Sequence, residues 1–200
     1  NDYLRTKFET NNTDEILFFT SDAQVYKSRL NDFDDSKASS LGEYVAGKLK
    51  FNDNEKVVSA ICISDYNGRV IMFFENGKAV SVPLDSYFTK QNRKKLTNAF
   101  FGGSPLVAAF KANDKAEYLV RSNDDRALLI KGSQVIEKST KTSSGSTLYT
   151  LKKGKKIVSA VEYNPETSKL VKESKYRKTK LPSSGVVFED IFPRALREWS

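Results

Sequence analysis

The sequence predicts an all-β chain built from propeller-like blades, and three observations carry that expectation. Lys56-Val57-Val58-Ser59-Ala60 returns as Lys156-Ile157-Val158-Ser159-Ala160, with Leu106-Val107-Ala108-Ala109 midway and in the same phase. A period of about 50 residues built on β-type segments is the mark of propeller blades or a similar β array. Apolar runs of strand length are each followed by a turn signal and a second strand-like run, which is hairpin patterning. The chain is rather polar, with 200 residues of which 38% are hydrophobic and 12% aromatic. That composition suits thin, blade-like layers better than one large core.

The first hairpin is Glu15-Ile16-Leu17-Phe18-Phe19-Thr20, a turn at Ser21-Asp22-Ala23-Gln24, and Val25-Tyr26-Lys27-Ser28-Arg29-Leu30. The second runs from Arg69-Val70-Ile71-Met72-Phe73-Phe74 through Glu75-Asn76-Gly77-Lys78 to Ala79-Val80-Ser81-Val82-Pro83-Leu84. Asn-Gly between two such runs predicts a two-residue turn with positive φ at both positions. The third pairs Glu117-Tyr118-Leu119-Val120-Arg121 with Arg126-Ala127-Leu128-Leu129-Ile130 across Ser122-Asn123-Asp124-Asp125.

A polar, basic connector follows each hairpin: Asn31 to Gly42, Thr89 to Ser104, and Glu137 to Ser146. Each leads to a closing strand, Val57 to Ile63, Leu106 to Phe110, and Ile157 to Tyr163. The unit is therefore hairpin, basic loop and closing strand, three times over, and loops on a rigid repeat commonly carry binding. Lys169-Leu170-Val171-Lys172 and Gly185-Val186-Val187-Phe188 are candidate strands of a fourth, partial blade. Tyr3-Leu4-Arg5-Thr6-Lys7-Phe8 is a further candidate strand that would close the ring and remove exposed edges. The tail Phe192 to Trp199 is expected to form a short helix from Pro193, with Trp199 as a packing anchor.

Net charge is +8, and it is uneven. Residues 1–110 hold 14 basic and 14 acidic residues, whereas 111–200 hold 19 and 11. Lys152 to Lys180 alone has 10 basic residues against 3 acidic. Such a basic concentration points to nucleic acid, anionic lipid or an acidic protein. No histidine is present, which excludes His-based triads, His general bases and His metal ligands. The one cysteine, Cys62, permits no internal disulfide and suggests a reducing compartment. No apolar run approaches the roughly 18 residues of a membrane span. The N-terminus lacks an initiating Met and a signal-type apolar region, so the chain reads as a piece of something longer.

Three basic clusters are candidate contacts for phosphates. Lys90-Gln91-Asn92-Arg93-Lys94-Lys95 lies in the second connector beside Tyr87 and Phe88. Lys152-Lys153-Gly154-Lys155-Lys156 is a basic turn centred on glycine, and Lys175-Tyr176-Arg177-Lys178-Thr179-Lys180 is the third cluster. Any one alone is more often a solvated charge run. Clusters at blade-like intervals would merge into one track, because repeats place equivalent loops around one rim.

Other motifs carry less. Asp32, Asp34, Ser36 and Glu43 fall at calcium-loop positions, but Lys37 stands where that loop needs glycine. Cys62 alternates with Ala60 and Ser64 on one strand face and reads as a small buried thiol. Asn11-Asn12-Thr13 is a glycosylation sequon with no sign of secretion around it. Gly102-Gly103-Ser104 is not a phosphate loop. No catalytic constellation and no cofactor motif is present.

The blocks resemble the C-terminal domain of the A subunit of bacterial type IIA topoisomerases, DNA gyrase and topoisomerase IV. The resemblance rests on the hairpin Ile16 to Lys27 and on two stretches that end in a closing strand like Leu-x-x-x-x-x-Lys-Val-Val, though not with its exact spacing. These are Lys48-Leu49-Lys50-Phe51 through Glu55-Lys56-Val57-Val58, and Lys141-Thr142-Ser143-Ser144-Gly145 through Leu151-Lys152-Lys153-Gly154-Lys155-Lys156-Ile157-Val158. The most specific stretch is Val82-Pro83-Leu84-Asp85-Ser86-Tyr87 with Asn92-Arg93-Lys94-Lys95-Leu96-Thr97-Asn98-Ala99-Phe100 and Ser104-Pro105-Leu106-Val107. The likeness covers residues 14–163 well and the ends poorly.

The resemblance implies a β-pinwheel of about 3–4 blades, closed by pairing of the two termini, with 1–200 as a single DNA-binding domain. Residues 164–200 would be its fourth partial blade and tail. It also implies a non-catalytic role, bending duplex DNA on a basic outer rim and presenting it to a cleavage core that is absent here. Partners would be double-stranded DNA, the topoisomerase B subunit, and the rest of the A subunit, in the cytoplasm at the nucleoid. Expected contacts are Arg93, Lys94, Lys95, Lys90, Lys152, Lys153, Lys155 and Lys156, then Lys48, Lys50, Arg177, Lys178 and Lys180. The gyrase-box loop, of the type Gln-Arg-Arg-Gly-Gly-Lys-Gly, is missing. Gln91-Asn92-Arg93-Lys94-Lys95 lacks its glycines, which favours a divergent or topoisomerase IV-like parent over gyrase. The alternative reading is a propeller that binds an acidic protein partner.

Overall fold

A computed structural model of the chain describes residues 15–29, 41–90, 93–166 and 169–189. The three hairpins form as expected: β1 (Glu15–Thr20) with β2 (Val25–Arg29), β4 (Arg69–Phe74) with β5 (Lys78–Pro83), and β8 (Glu117–Ser122) with β9 (Arg126–Lys131). The closing strands are β3 (Val57–Ile63), β7 (Leu106–Lys111) and β12 (Ile157–Glu162). Each pairs antiparallel with the first strand of its own hairpin. All three pairings carry a register break beside the hairpin turn, at Phe19/Thr20, Phe73/Phe74 and Ile157/Ser159. A bulge at the same place in each unit increases local twist.

The fourth strand of each sheet comes from elsewhere. β6 (Lys95–Leu96) lies in the connector after β5, yet it pairs with β2 of the preceding unit. β10 (Ser146–Thr147) pairs with β5, and β14 (Val186–Val187) pairs with β9. The sheet orders are therefore β3-β1-β2-β6, β10-β5-β4-β7 and β12-β8-β9-β14. Sheets 1, 2 and 3, in that order, are three complete blades. A parallel pair, β11 (Tyr149–Thr150) with β13 (Ser183–Ser184), joins the third connector to the last segment. Within the described residues the expected fourth blade is absorbed into sheet 3. Val186 and Val187 become its edge strand, and Leu170 is an isolated bridge residue ahead of a turn, not part of a strand.

The closing strands form the hub, since β3 packs beside β7 and β7 beside β12. The short donated strands are consequently at the rim. The blades stack through two shared cores. Leu17, Phe19, Met72, Phe74 and Val82 meet between sheets 1 and 2, and Ile71, Phe73, Tyr118, Leu128 and Ile130 between sheets 2 and 3. β4 is buried on both faces, which is why its sequence is a continuous apolar run instead of an alternating one.

Helix α1 (Leu41–Leu49) corrects two expectations. The end of the first connector is helical, and Lys48 and Leu49 belong to that helix instead of leading into a strand. Val45 and Leu49 pack on Ile16, Phe18 and Tyr26, covering the outer face of sheet 1. With two glycines in nine residues, the segment owes its helix to that packing more than to intrinsic propensity. The outer face of sheet 3 is covered by Leu170 and Tyr176. Cys62 is half-buried on the α1 side of β3, not a core thiol, because the fully buried face of that strand is Ser59, Ile61 and Ile63.

The hairpin turns also differ from the Asn-Gly expectation. Among residues 75–78 only Gly77 has positive φ, at +82°. Its N–H donates to Phe74 O at 3.1 Å, as in a three-residue loop with a glycine bulge. Ala23 (φ +56°) and Asp125 (φ +54°) hold the equivalent positions. Gly77 is needed twice over, since a Cβ there would stand 2.3 Å from Tyr149 O. The candidate N-terminal strand, the sequon, most of the acidic stretch from Asp32, and the Pro193–Trp199 tail lie outside the described residues.

Candidate nucleic-acid interface

A later segment of the chain runs along the outer edge of each sheet. In sheet 1, Lys27 N–H donates to Lys94 O at 2.7 Å, so the second connector runs along the outer side of β2. In sheet 2, Ser81 N–H donates to Ile136 O and Lys138 N–H to Ser81 O, both at 2.9 Å. In sheet 3, Arg177 bridges Leu129 of β9 in the same parallel sense as Glu137 bridges Ser81. Each outer edge therefore brings cations with it: Lys94 and Lys95, then Lys138 and Lys141, then Arg177, Lys178 and Lys180.

Lys138 and Lys141 are not evident from the sequence. Each is a single lysine without a cluster, and only the bridge to β5 puts them on the rim. Lys141 also stands 5.9 Å from the centre of the Tyr87 ring.

The other expected contacts are placed differently. Lys152, Lys153, Lys155 and Lys156 are all exposed, in the turn that leads into the hub strand β12. That turn docks on two hairpin tips. Asn123 N–H donates to Lys156 O at 3.0 Å, and Ile157 N–H to Glu75 O at 2.9 Å. Lys156 Nζ pairs with Glu75 Oε1 at 3.1 Å. This cluster is thus at the hairpin-tip end of sheets 2 and 3, apart from the edge strands. Lys48 lies in the last turn of α1 and Lys50 follows the helix at φ +54°, both exposed on the outer flank of sheet 1.

Arg177 is tied into the fold. Its Nε and Nη2 donate to the two carboxylate oxygens of Glu117 at 2.6 and 2.7 Å, and Nη2 also reaches Glu173. The hydrogen bonds to Glu117 push its guanidinium pKa up still further. Lys175 pairs with Glu189 at 2.5 Å. Lys95 lies 5.4 Å from the Tyr26 ring centre and donates to Asn52 Oδ1 at 3.4 Å.

A basic cleft of about 410 Å³ lies at the open end of sheet 1. Arg29, Lys90, Arg93 and Lys94 are exposed around it. Its floor is a braced aromatic pair. Tyr66 donates to Glu15, and Lys27 Nζ sits 4.9 Å from the Tyr66 ring centre. Burial pushes the Tyr66 hydroxyl pKa up, and the bond to Glu15 adds to it. Burial pushes the Lys27 ammonium down, opposed by Glu15. Among the described residues no group of His, Cys, Asp or Glu converges to hold a metal ion, and no helix is long and apolar enough to cross a membrane.

Three twisted four-stranded sheets around a hub, each completed by a short edge strand from later in the chain, define a propeller-like domain of the β-pinwheel type. Residues 14–64 match the family model described as DNA gyrase C-terminal domain, beta-propeller. The chain is 20% identical over 138 residues to the A subunit of DNA gyrase from Treponema pallidum (strain Nichols), covering 68% of this chain and 17% of that protein. It is similar to the C-terminal domain of DNA topoisomerase IV, with a TM-score of 0.67 and 22% identity over 80% of this chain and 50% of that one. It is also similar to the E. coli ParC C-terminal domain, with a TM-score of 0.59 and 11% identity over 89% of this chain and 78% of that one. The chain resembles the C-terminal domain of the A subunit of bacterial type IIA topoisomerases, and spans under a fifth of the curated relative's length.

Proposed function

We propose that this chain is the non-catalytic, DNA-binding domain of a type IIA topoisomerase A subunit. Its partners would be duplex DNA, the topoisomerase B subunit, and the remainder of its own subunit. The observation that supports this most is the rim itself, where the edge of every sheet carries cations: Lys94 and Lys95, Lys138 and Lys141, Lys178 and Lys180. A duplex laid across those edges would meet lysines and arginines at the spacing of the blades. Such contacts go to phosphates and carry little base information. A curved row of them favours bent DNA, and the energy of bending is offset by the additional contacts. Arg93, Lys94, Lys95 and Lys90 form the first contact region. Lys152, Lys153, Lys155 and Lys156 would form a second at the hairpin tips, with Lys48, Lys50, Arg177, Lys178 and Lys180 in support.

In this role the domain cleaves nothing. It would hold a DNA segment and hand it to a cleavage core elsewhere in the protein, in the cytoplasm at the nucleoid. The test is titration of this chain onto a generic duplex of about 40 base pairs at low and high salt. Tight binding that weakens steeply with salt is expected. Absence of binding at low salt would overturn the reading and leave an acidic protein as the partner to seek.

A further inference from the structure

Phe88 is 57% exposed, the most exposed large hydrophobic side chain among the described residues. It stands at the basic cleft of sheet 1, and its exposure is not the result of a loose position. The preceding residue, Tyr87, is fully buried, and Phe88 N–H is bonded to Asp85 O at 2.9 Å. Its ring meets Tyr66 edge-on, with centroids 5.4 Å apart and planes at 73°. Tyr66 in turn is fixed by Glu15 and by the Lys27 ammonium. Lys27 is itself held by Thr89 Oγ1 at 3.2 Å and Glu15 at 3.9 Å. The chain thus holds an aromatic face open to solvent on a rigid base.

The same cleft is ringed by cations. Arg29, Arg93 and Lys94 surround the mouth. The ligand that this set fits has a flat π face and a negative charge beside it. A volume of about 410 Å³ accepts a group of small-molecule size.

We propose that this cleft takes one unpaired nucleotide of a DNA strand. The base stacks on Phe88, and Arg29, Arg93 and Lys94 hold the adjoining phosphate. Bases within an intact duplex are already stacked and present no free face, so the site selects distorted, gapped or opened DNA. Stacking on an aromatic side chain tolerates every base and accounts for a several-fold to hundred-fold gain in affinity. This inference rests on the nucleic-acid reading above and adds a preference that phosphate contacts alone do not give.

The test compares two 40-base-pair duplexes of one sequence, one intact and one with a central three-nucleotide single-stranded gap carrying 2-aminopurine. The whole chain and its Phe88→Ala and Phe88→Tyr variants are titrated onto both. The wild type is expected to bind the gapped DNA about 5- to 100-fold more tightly than the intact one, with a change in 2-aminopurine emission. Phe88→Ala should keep intact-duplex affinity and lose the preference, while Phe88→Tyr should retain it. Equal affinity for both DNAs, or a preference that survives Phe88→Ala, overturns the proposal and leaves duplex binding standing. Thermal stabilisation by free deoxyadenosine monophosphate without any gap preference also overturns it, assigning the cleft to free nucleotides. Failure to bind either DNA sinks both readings together.

Discussion

Ala109 donates its backbone N–H to the Ser59 hydroxyl at 2.9 Å, across a buried contact between two hub strands. Ser59 belongs to the repeated Lys-Val-Val-Ser-Ala block, and its partner lies in the corresponding block of the next unit. The bond joins blade to blade where no ladder connects them. Ser59→Ala would leave the Ala109 N–H buried without a partner. Urea unfolding should show a loss of about 1–3 kcal/mol. A loss below about 0.5 kcal/mol would be ordinary surface behaviour and would refute the linking role.

Glu55 organises the tip of sheet 1. It is buried, and it accepts from Tyr26 Oη at 2.8 Å, from Asn52 N at 2.8 Å, and from the Thr20 hydroxyl. Tyr26→Phe removes one bond to a charged acceptor, so a loss of about 1.5–3 kcal/mol is expected. Glu55→Ala orphans three donors and should cost more. A double-mutant cycle of Tyr26→Phe with Glu55→Gln should show coupling between them. Strict additivity would mean that the two side chains act separately.

Acid should loosen the cover of sheet 3 first. The hydrogen bond from Arg177 holds the Glu173 carboxyl below the usual range, and that from Lys175 does the same for Glu189. A carboxylate with a depressed folded pKa stabilises above its unfolded value, near 4.3, and that stability is lost as pH falls through the lower folded value. The melting temperature should therefore fall below about pH 4.5, with protease sensitivity appearing first in residues 163–189. Glu173→Gln should flatten that fall. An unchanged pH profile in the variant would remove Glu173 from the explanation.

Replacement of Arg93, Lys94 and Lys95 together by Ala should weaken binding to unrelated duplexes alike. The slope of log affinity against log salt should shrink by about 2–3, at roughly 0.9 per lost phosphate contact. A loss confined to one DNA sequence would contradict backbone-driven binding.

Lys138→Ala with Lys141→Ala tests the rim geometry itself, because neither lysine belongs to a basic cluster. A salt slope smaller by about 1–2 is expected if DNA follows the edge strands. An unchanged slope, with a large effect at Lys152 to Lys156 instead, would move the DNA path to the hairpin tips.

Much of the architecture was legible because it is written locally. Hairpin strands show as apolar runs, their turns as Asn, Asp and Gly, and the closing strands as a repeated five-residue block. These features depend on neighbours in sequence, so the chain alone determined an all-β repeat of three hairpins and its uneven positive charge. The turn at Gly77 is evident in the sequence but its geometry is not. One position alone takes positive φ there, as at Ala23 and Asp125, and the close approach of Tyr149 O from a distant connector is what bars a Cβ at Gly77.

Only the tertiary structure decided the rest, for one physical reason. Pairings of two residues, such as Lys95–Leu96 with β2, have no periodicity of their own and exist only because an edge is waiting for them. That exchange puts single lysines such as Lys138 on the rim. It also bends the second connector beside Arg29 and seats Phe88 against Tyr66, some 20 residues back along the chain. Helix α1 likewise forms where the outer face of sheet 1 offers Ile16 and Phe18 to Val45 and Leu49. Composition supplied the cations and the aromatic rings, and long-range packing determined which of them face one another.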